Sequence, residues 1–336
     1  MNNTSPSMQL LNHIYPGPLA AQAISVVARL NIAELIDTDA KSIEYLTAET
    51  GAHPDALRRV MACLTAIGVF HETGDRRFEH TPASETLRRE HPQSTRALAV
   101  MMGCPWTWKS WGELFDTVQT GEPGFERIYG RHFDQYMAEH PADGAIYNDA
   151  MTASSGMLVD AIVSTYDFSQ FRRIVDVGGG QGALLEAILL ANPKAKGVLI
   201  DLPSVVEAAT ALRSTEIADR CEVHAGNIFD AMPEGGDAYI LKGILHGFVD
   251  KDAVKILQNC RQAIQGDGRL LVIESVRQEA NDPNPQTAFM DLMMLTLVPG
   301  RERSKQELEL LLTQAGFELT AVYATSGPSI AEAVPR

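Results

Sequence analysis

The sequence contains few cysteines and no long apolar run. Only four of its 336 residues are cysteine, and Cys63, Cys104, Cys221 and Cys260 lie far apart, without the short spacing of metal ligands. We interpret them as reduced thiols. Because the polar residues 1–7 do not resemble a signal peptide, we expect a cytoplasmic protein. Because the cysteines lack the spacing of metal ligands, we expect no metal. No stretch approaches the roughly 20 apolar residues of a membrane helix, so no membrane partner is expected.

Positive charge is also scarce. The chain has 28 Lys and Arg residues against 43 Asp and Glu residues, which gives a net charge of −15. Nucleic-acid binding depends on Lys and Arg side chains that neutralise phosphates, so the composition argues against a nucleic-acid partner. The apolar fraction of 45% is ordinary for a globular protein, and the length of 336 residues favours two domains.

The most informative motif present is the sequence DVGGGQG at residues 176–182. It follows a short apolar run and precedes a helical pattern, and a strand, a glycine-rich turn and a helix in that order build a nucleotide-type crevice. Two ligand classes fit the motif. The spacing Gly178-x-Gly180-x-x-Ala183 is typical of dinucleotide binding, whereas Asp176 before glycines 178, 180 and 182 resembles the first motif of S-adenosylmethionine methyltransferases.

The carboxyl-terminal half alternates between strand and helix patterns. The apolar runs predict five successive strands, at residues 174–177, 197–200, 221–224, 238–241 and 269–274. Such alternation predicts a largely parallel sheet with helices on both faces. Ser304-Lys305-Gln306-Glu307 is a capping box that predicts the start of a further helix.

The amino-terminal region has a winged-helix pattern. Two amphipathic helices are predicted at residues 42–50 and 54–67, and the segments around Gly74-Asp75 predict a hairpin. A DNA-binding or ligand-sensing regulator is therefore one hypothesis, but residues 1–100 contain more acidic than basic side chains. The apolar helix pattern at residues 20–30 favours self-association, and we expect a homodimer.

Five motifs occur in an order that carries a family resemblance. They are VDVGGGQG at 175–182, IDLP at 200–203, GNIF at 226–229, LKGILH at 241–246 and GRERS at 300–304. With them the chain resembles the two-domain small-molecule O-methyltransferases, which include plant caffeate and flavonoid enzymes and bacterial phenazine and polyketide-tailoring enzymes. The resemblance implies an α/β fold in three parts: a winged-helix-like dimerisation domain (1–100), a helical connector that contributes to the substrate pocket (101–170) and a Rossmann-like cofactor domain (171–336).

The resemblance also implies a binding site for S-adenosylmethionine, which would leave as S-adenosylhomocysteine. Asp201 ends the second predicted strand, and its carboxylate can accept hydrogen bonds from ribose hydroxyls. Asn227 and Ile228 replace the Asp-Met pair that the family commonly has beside the adenine, and an Asn side chain can still accept and donate. The predicted cofactor residues are Asp176, Gly178, Gly180, Gly182, Asp201, Leu202, Asn227, Ile228, Lys242 and Ser155.

His246 is the predicted general base. It follows the fourth strand at the carboxyl edge of the sheet, and imidazole can take a proton from a phenolic hydroxyl as the oxygen attacks. The resemblance places Glu274 and Glu302 on either side of it, where either could accept the Nδ1–H and stabilise the imidazolium. Gly247 stands where the family often has Asp, so hydroxylation, decarboxylation or pericyclic chemistry on the same fold stays an alternative.

The acceptor site is predicted from methionines and aromatic residues. Methionine packs well against aromatic faces, and Val298 stands where plant relatives have a polar Asn. We therefore expect a small, planar, fairly apolar hydroxy-aromatic acceptor, a secondary metabolite whose identity and site of methylation the sequence does not specify. The predicted acceptor-binding residues are Met151, Trp108, Met290, Met294 and Val298.

Overall fold

The computed structural model describes residues 5–214, 216–277 and 284–336. The chain divides into two compact units, Met1–Trp108 and Lys109–Arg336. Residues 1–4 of the polar start considered above lie outside the described residues. Within the described ranges, no helix combines the length and apolar character needed to cross a bilayer. The finer division into three segments, with boundaries after residues 100 and 170, stays a prediction.

The first unit is mainly helical with one small sheet. Its strands are β1 (Lys41–Ser42), β2 (Phe70–Glu72) and β3 (Arg77–His80), which form an antiparallel sheet in the order β1-β3-β2. The last of its helices continues into the second unit. The helices are α1 (Pro6–Ile14), α2 (Pro16–Arg29), α3 (Ile32–Ile36), α4 (Ile43–Thr50), α5 (Pro54–Ala66), α6 (Pro82–Glu85), α7 (Arg96–Met102) and α8 (Pro105–Gly112).

Local capping explains the two helices of the predicted winged-helix pattern. The side chain of Ser42 accepts from the backbone N–H of Tyr45 at the start of α4, and Gly51 ends that helix with a φ of 68°. Helix α5 begins at Pro54. Proline has no backbone N–H, and this costs no hydrogen bond here because the first N–H groups of a helix have no partner within it. The hairpin of β2 and β3 follows, so the winged-helix-like prediction is confirmed.

The second unit contains the large sheet. Its strands are β4 (Arg173–Val177), β5 (Lys196–Asp201), β6 (Cys221–Ala225), β7 (Ala238–Lys242), β8 (Arg269–Glu274), β9 (Phe317–Tyr323) and β10 (Ser329–Pro335). Three short 3₁₀ turns also occur, at Phe168–Gln170, Ala218–Arg220 and Leu245–Gly247. The helices are α9 (Leu114–Thr120), α10 (Gly124–Tyr129), α11 (Phe133–Glu139), α12 (Pro141–Thr165), α13 (Ala183–Ala191), α14 (Pro203–Val206), α15 (Ala211–Ser214), α16 (Asp250–Ala263), α17 (Pro285–Leu297) and α18 (Lys305–Gln314).

The sheet has seven strands in the order β6-β5-β4-β7-β8-β10-β9. The first five are parallel, and they correspond to the five predicted strands, so the Rossmann-like prediction is confirmed. The last two are antiparallel and were not predicted: β10 pairs with both β8 and β9. The parallel arrangement brings the carboxyl ends of β4, β5, β7 and β8 to one edge of the sheet.

Both faces of the parallel strands are buried. Along β4, Ile174 packs in one apolar cluster while Val175 and Val177 pack in another on the opposite face. Each such side chain stabilises the fold by about 1.5–3 kcal/mol when it leaves water. A sheet covered on both faces holds its strand ends rigidly, and this makes its carboxyl edge suitable for positioning functional side chains.

Candidate active site

The glycine-rich turn follows β4 and leads into α13. Gly178, Gly180 and Gly182 have φ values of 68°, 63° and 86°, a left-handed conformation that residues with a Cβ rarely adopt. Open space surrounds the position where a Cβ of Gly180 would lie, whereas one on Gly178 would overlap the side chain of Ile244. At Gly180, the backbone of the turn therefore borders open space that a ligand can occupy.

Asp201 ends β5 and lies directly against this turn. Its Oδ2 accepts a 2.7 Å hydrogen bond from the backbone N–H of Gly180, and its Oδ1 accepts one of 2.7 Å from Leu202. Burial raises the pKa of Asp201, the two backbone N–H groups oppose that rise, and Asp134 adds to it. Each carboxylate oxygen keeps a further lone pair for a ligand hydroxyl.

Asp176, the penultimate residue of β4, is buried beneath the glycines. Its side chain is about 1% exposed, and neither carboxylate oxygen has a hydrogen-bond partner among the described residues. Burial raises the pKa of Asp176 to about 7; Lys242 opposes the rise and Asp201 adds to it. A buried carboxyl group without a partner is costly, and it indicates a place where a polar or cationic ligand group would be stabilised.

Lys242 and Ser155 are brought together from different elements. The ammonium group of Lys242, at the end of β7, donates a 2.8 Å hydrogen bond to Ser155 Oγ on α12. Burial lowers the pKa of Lys242, while the carboxylates of Asp176 and Glu274 act in the opposite direction. The lysine therefore stands between the carboxylate under the glycine turn and the carboxylate at the end of β8.

Asn227 and Ile228 lie in the loop after β6. The side-chain oxygen of Asn227 accepts a 2.9 Å hydrogen bond from the backbone N–H of Phe229, which leaves its amide N–H₂ group as the donor. Ile228 approaches Gly178, and its carbonyl oxygen accepts from Asn259. The loop thus reaches the glycine turn from the side of β6, and its contact with an adenine stays a prediction.

His246 lies on the 3₁₀ turn Leu245–Gly247, directly after β7. Its Nδ1 is 2.7 Å from Glu302 Oε1, and its backbone N–H donates a 3.1 Å hydrogen bond to Glu274 Oε1. The imidazole is about 20% exposed, whereas the Glu302 side chain is about 1% exposed. In the tautomer in which Nδ1–H donates to Glu302 Oε1, the ring lone pair is on Nε2, which has no hydrogen-bond partner among the described residues.

The two carboxylates near His246 therefore differ in function. Glu302 orients the ring, whereas Glu274 holds the backbone of the turn. Burial by itself lowers the pKa of His246, but the hydrogen bond to Glu302 and the charges of Glu274 and Glu302 raise it overall, against Lys242. Glu302 does not cap the following helix, because Ser304 and Glu307 form that capping box between themselves.

Asp291 was not among the residues predicted from the sequence. It lies on α17 and its Oδ1 accepts a 2.8 Å hydrogen bond from the backbone N–H of Glu302. This bond ties the segment that carries Glu302 to the helix that carries Met290 and Met294. A lone Asp within an apolar helical pattern was the available signal, because such a carboxylate requires a partner.

The predicted acceptor-binding residues are distributed over both units. Met290 and Met294 are one helical turn apart and share one face of α17, and Val298 follows the end of that helix. Met151 lies on α12 and is half-buried. Trp108 belongs to the first unit, where its indole N–H donates to the carbonyl oxygen of Met102. Their contact with an acceptor stays a prediction.

Comparison with known proteins identifies the family. The model of the O-methyltransferase domain matches residues 111–318, and that of the O-methyltransferase dimerisation domain matches residues 12–90. The phenazine O-methyltransferase PhzM of Lysobacter antibioticus is 38% identical over 332 residues, which cover 98% of this chain and 97% of that protein. The chain therefore belongs to the S-adenosylmethionine-dependent O-methyltransferases and carries the dimerisation domain of that family.

Solved structures agree with this assignment. The crystal structure of LaPhzM matches with a TM-score of 0.95 and 38% identity, over 99% of this chain and 100% of that one. A second match is the structure of NcsB1, an O-methyltransferase from neocarzinostatin biosynthesis, in complex with S-adenosylmethionine and 2-hydroxy-5-methyl naphthoic acid. It has a TM-score of 0.81 and 31% identity, and the match covers 95% of this chain and 96% of that one. The methyltransferase interpretation of the glycine motif is thus confirmed over the dinucleotide one.

The residues at the sheet edge fit S-adenosylmethionine chemically. That molecule carries a cationic amino group, a sulfonium and two ribose hydroxyls. The unpartnered buried carboxyl of Asp176 and the carboxylate of Asp201 supply acceptors for such groups, and the space beside Gly180 admits a ligand. Among the described residues, no cluster of three or more His, Cys, Asp or Glu side chains forms a metal-binding arrangement.

Proposed function

We propose that this protein transfers a methyl group from S-adenosylmethionine to a hydroxyl of a small, planar aromatic secondary metabolite, with His246 as the general base. The observation that supports the proposal most is the 2.7 Å contact between His246 Nδ1 and Glu302, which leaves Nε2 available at the carboxyl edge of the sheet. The cofactor would lie on the glycine turn, Asp201 and Leu202, with Asp176, Lys242 and Ser155 beneath it and Asn227 and Ile228 at its adenine end.

The role of His246 is to move one proton. S-adenosylmethionine supplies an electrophilic methyl group. A phenolic hydroxyl has a pKa of about 10, so it is mostly protonated at neutral pH and its oxygen is a weak nucleophile. His246 Nε2 accepts the proton while the new bond to oxygen forms, and the carboxylate of Glu302 stabilises the resulting imidazolium. The proton then passes to solvent, and the base is restored.

The acceptor would pack against thioethers. Met290 and Met294 on α17 and Met151 on α12 offer flexible, polarisable contacts to a planar ring, with Val298 as a further apolar contact. The 2-hydroxy-5-methyl naphthoic acid in complex with NcsB1 is a molecule of this planar, hydroxylated class. These residues favour shape and apolar contact over hydrogen bonding to ring substituents.

Mass spectrometry tests the reaction directly. The purified protein would be incubated with S-adenosylmethionine and a panel of phenols, naphthols and hydroxynaphthoic acids, with loss of the cofactor's methyl group measured in parallel. We expect a product in which a methyl group replaces the hydroxyl hydrogen of the acceptor. One molecule of S-adenosylhomocysteine should form for each molecule of this product. A product hydroxylated or decarboxylated without methyl loss from the cofactor would instead support the alternative chemistry suggested by Gly247.

Replacing Glu302 with glutamine is expected to weaken the base. A charge-assisted hydrogen bond contributes roughly 1.5–3 kcal/mol, which corresponds to about a ten- to hundredfold slower methyl transfer. The charge of Glu302 raises the pKa of His246. Its loss lowers that pKa, so the acid-side fall in activity, where His246 becomes protonated, moves to lower pH. Single-turnover rates across pH measure both effects, and a rate loss with an unmoved acid limb would contradict this role.

We further propose that the protein is a homodimer assembled through residues 10–100, without a nucleic-acid or membrane partner. Leu19 on α2 is 62% exposed in the single chain, and other apolar side chains of α1 and α2 are exposed with it. Leu19→Glu is expected to convert dimer into monomer in light scattering at micromolar concentration, because a charge does not fit an apolar interface.

Leu310→Glu provides the matched control for the dimer. Leu310 is equally exposed, at 62%, but lies on α18 in the second unit, so this change is expected to leave the size unchanged. A wild-type protein that is monomeric at micromolar concentration would contradict the dimer. Retention on nonspecific DNA at low salt would support the regulator hypothesis instead.

A further inference from the structure

Arg303 holds both ends of the turn that carries His246. Its guanidinium donates to the carbonyl oxygens of Leu245 at 2.7 Å and Phe248 at 2.8 Å. It also donates to Asp250 Oδ1 at 2.9 and 3.2 Å. The Arg303 side chain is only about 3% exposed. One planar group therefore fixes the backbone immediately before His246, the backbone two residues after it and the start of α16.

A second contact holds the same turn from the neighbouring residues. A Cβ on Gly300 would overlap the carbonyl oxygen of His246 and the peptide of Gly247, so the two backbones are in direct contact there. Glu302 lies between this close approach and Arg303 in the sequence. The segment 300–303 thus contacts the His246 turn at Gly300 and bonds to its two ends through Arg303. The carboxylate of Glu302, between them, lies against His246 Nδ1.

The turn is also held by the buried side chain of Leu245 and by the bond from the His246 N–H to Glu274, but Gly247 adds no side-chain contact to it. Gly247 has no Cβ, and open space surrounds the position where one would lie. A buried guanidinium loses hydration, and only well-placed acceptors compensate for that loss. Arg303 directs two of its hydrogen bonds to main-chain carbonyls rather than to a second carboxylate. Bonds of this kind restrain the backbone path, and the position of the imidazole follows from that path.

We propose that Arg303 is a positioning residue for methyl transfer: it holds the His246 turn against the segment that carries Glu302, so that the Nδ1–carboxylate pair stays formed while Nε2 takes the proton. This inference rests on the proposed role of His246 as the base. Arg303 acts through the turn and through Glu302; none of its hydrogen bonds is to the imidazole.

Arg303→Lys tests the inference, since it keeps the positive charge but loses the planar fork. A single ammonium group does not reach Leu245, Phe248 and Asp250 with the same geometry. We expect the single-turnover rate to fall about ten- to hundredfold, because a small misplacement of a reacting group has an effect of that size. The acid limb of the rate should move to lower pH, since a loosened Glu302 raises the pKa of His246 less. The calorimetric Kd for S-adenosylmethionine should change by about twofold or less.

Arg301→Lys is the matched control. Arg301 lies two residues away, donates to the same Asp250 at 3.2 Å and is 50% exposed. The same substitution there is expected to change the rate by about twofold or less. The other charged groups near the imidazole, Glu302, Glu274 and Lys242, are the same in both variants, so a difference between them reports the geometry of the buried fork.

Nitrogen NMR of the His246 imidazole gives a readout independent of activity. We expect a mainly Nδ1-protonated ring in the wild type and a mixture of tautomers in Arg303→Lys. A lower melting temperature with an unmoved acid limb and an unchanged imidazole spectrum would overturn the inference and leave a purely structural arginine. A changed spectrum with an undiminished rate would overturn the base role of His246 and, with it, the positioning role.

A second variant covers the case in which Arg303→Lys does not fold. Asp250→Asn removes the carboxylate but leaves the two carbonyl acceptors of the turn in place. We expect a smaller loss in rate and a smaller shift of the acid limb, both in the same direction as in Arg303→Lys. An unchanged rate and an unmoved limb in a folded Asp250→Asn, together with an unchanged imidazole spectrum, would contradict the inference.

Discussion

Replacing His246 with alanine is expected to lower the rate of methyl transfer by roughly 10²–10⁴-fold while leaving the affinity for S-adenosylmethionine nearly unchanged. The variant loses the only imidazole at the Glu302 contact, so a neutral phenol must lose its proton to water as its oxygen attacks. The predicted cofactor contacts, at Asp201 and the glycine turn, lie outside the altered turn. Single-turnover kinetics and calorimetry on the same preparation separate the two effects.

His71→Ala is a suitable control for that experiment. His71 lies on β2 in the first unit, is exposed and pairs with Glu79, so its loss removes a histidine without touching the sheet edge. We expect unchanged rates. Full activity in His246→Ala would mean that proximity and desolvation alone drive the transfer, or that the reaction is not hydroxyl methylation.

Asp201→Ala is expected to weaken the binding of S-adenosylmethionine by about 1–3 kcal/mol, or roughly five- to 150-fold, because the ribose hydroxyls lose a charged acceptor. The carboxylate also accepts from the N–H groups of Gly180 and Leu202, so part of the loss comes from a less ordered glycine turn. Calorimetry with S-adenosylmethionine and S-adenosylhomocysteine measures the effect.

Asp201→Asn separates charge from shape in that measurement. The amide keeps one acceptor oxygen for the glycine turn but removes the charge, so an intermediate loss is expected. Asp219→Ala, at an exposed carboxylate after α15, is the control and should bind like the wild type. Unchanged affinity in Asp201→Ala, or binding of NAD without binding of S-adenosylmethionine, would contradict the assignment of this carboxylate.

Local patterns predicted much of the fold because their causes are local. The apolar runs of β4, β5, β6, β7 and β8, the turn from β4 into α13 and the capping box at Ser304 each depend on neighbours in sequence. Strands β9 and β10 were missed. Their pairing with each other and with β8 is antiparallel and depends on partners distant in the chain, which a periodicity does not specify.

Part of the candidate site was likewise predicted from the sequence, and part of it was not. The sequence placed His246 and Glu274 at strand ends, and the family resemblance placed Glu274 and Glu302 beside His246. It left open which carboxylate accepts from the imidazole, because that depends on distances of tenths of an ångström between separate loops. Arg303 was not singled out, since a charged residue beside Glu302 has the sequence signature of a solvated surface group. Only its burial distinguishes it.

The dependence of the rate loss on acceptor acidity distinguishes a general base at His246 from a structural histidine. Single-turnover rates of the wild type and of His246→Ala would be measured for a series of phenols of one shape but graded pKa. If His246 takes the proton, the wild-type rate divided by the His246→Ala rate falls steadily as the acceptor becomes more acidic, because acidic phenols arrive partly ionised. A ratio that stays constant across the series, at unchanged affinity for S-adenosylmethionine, would show that His246 supports the structure and is not the base.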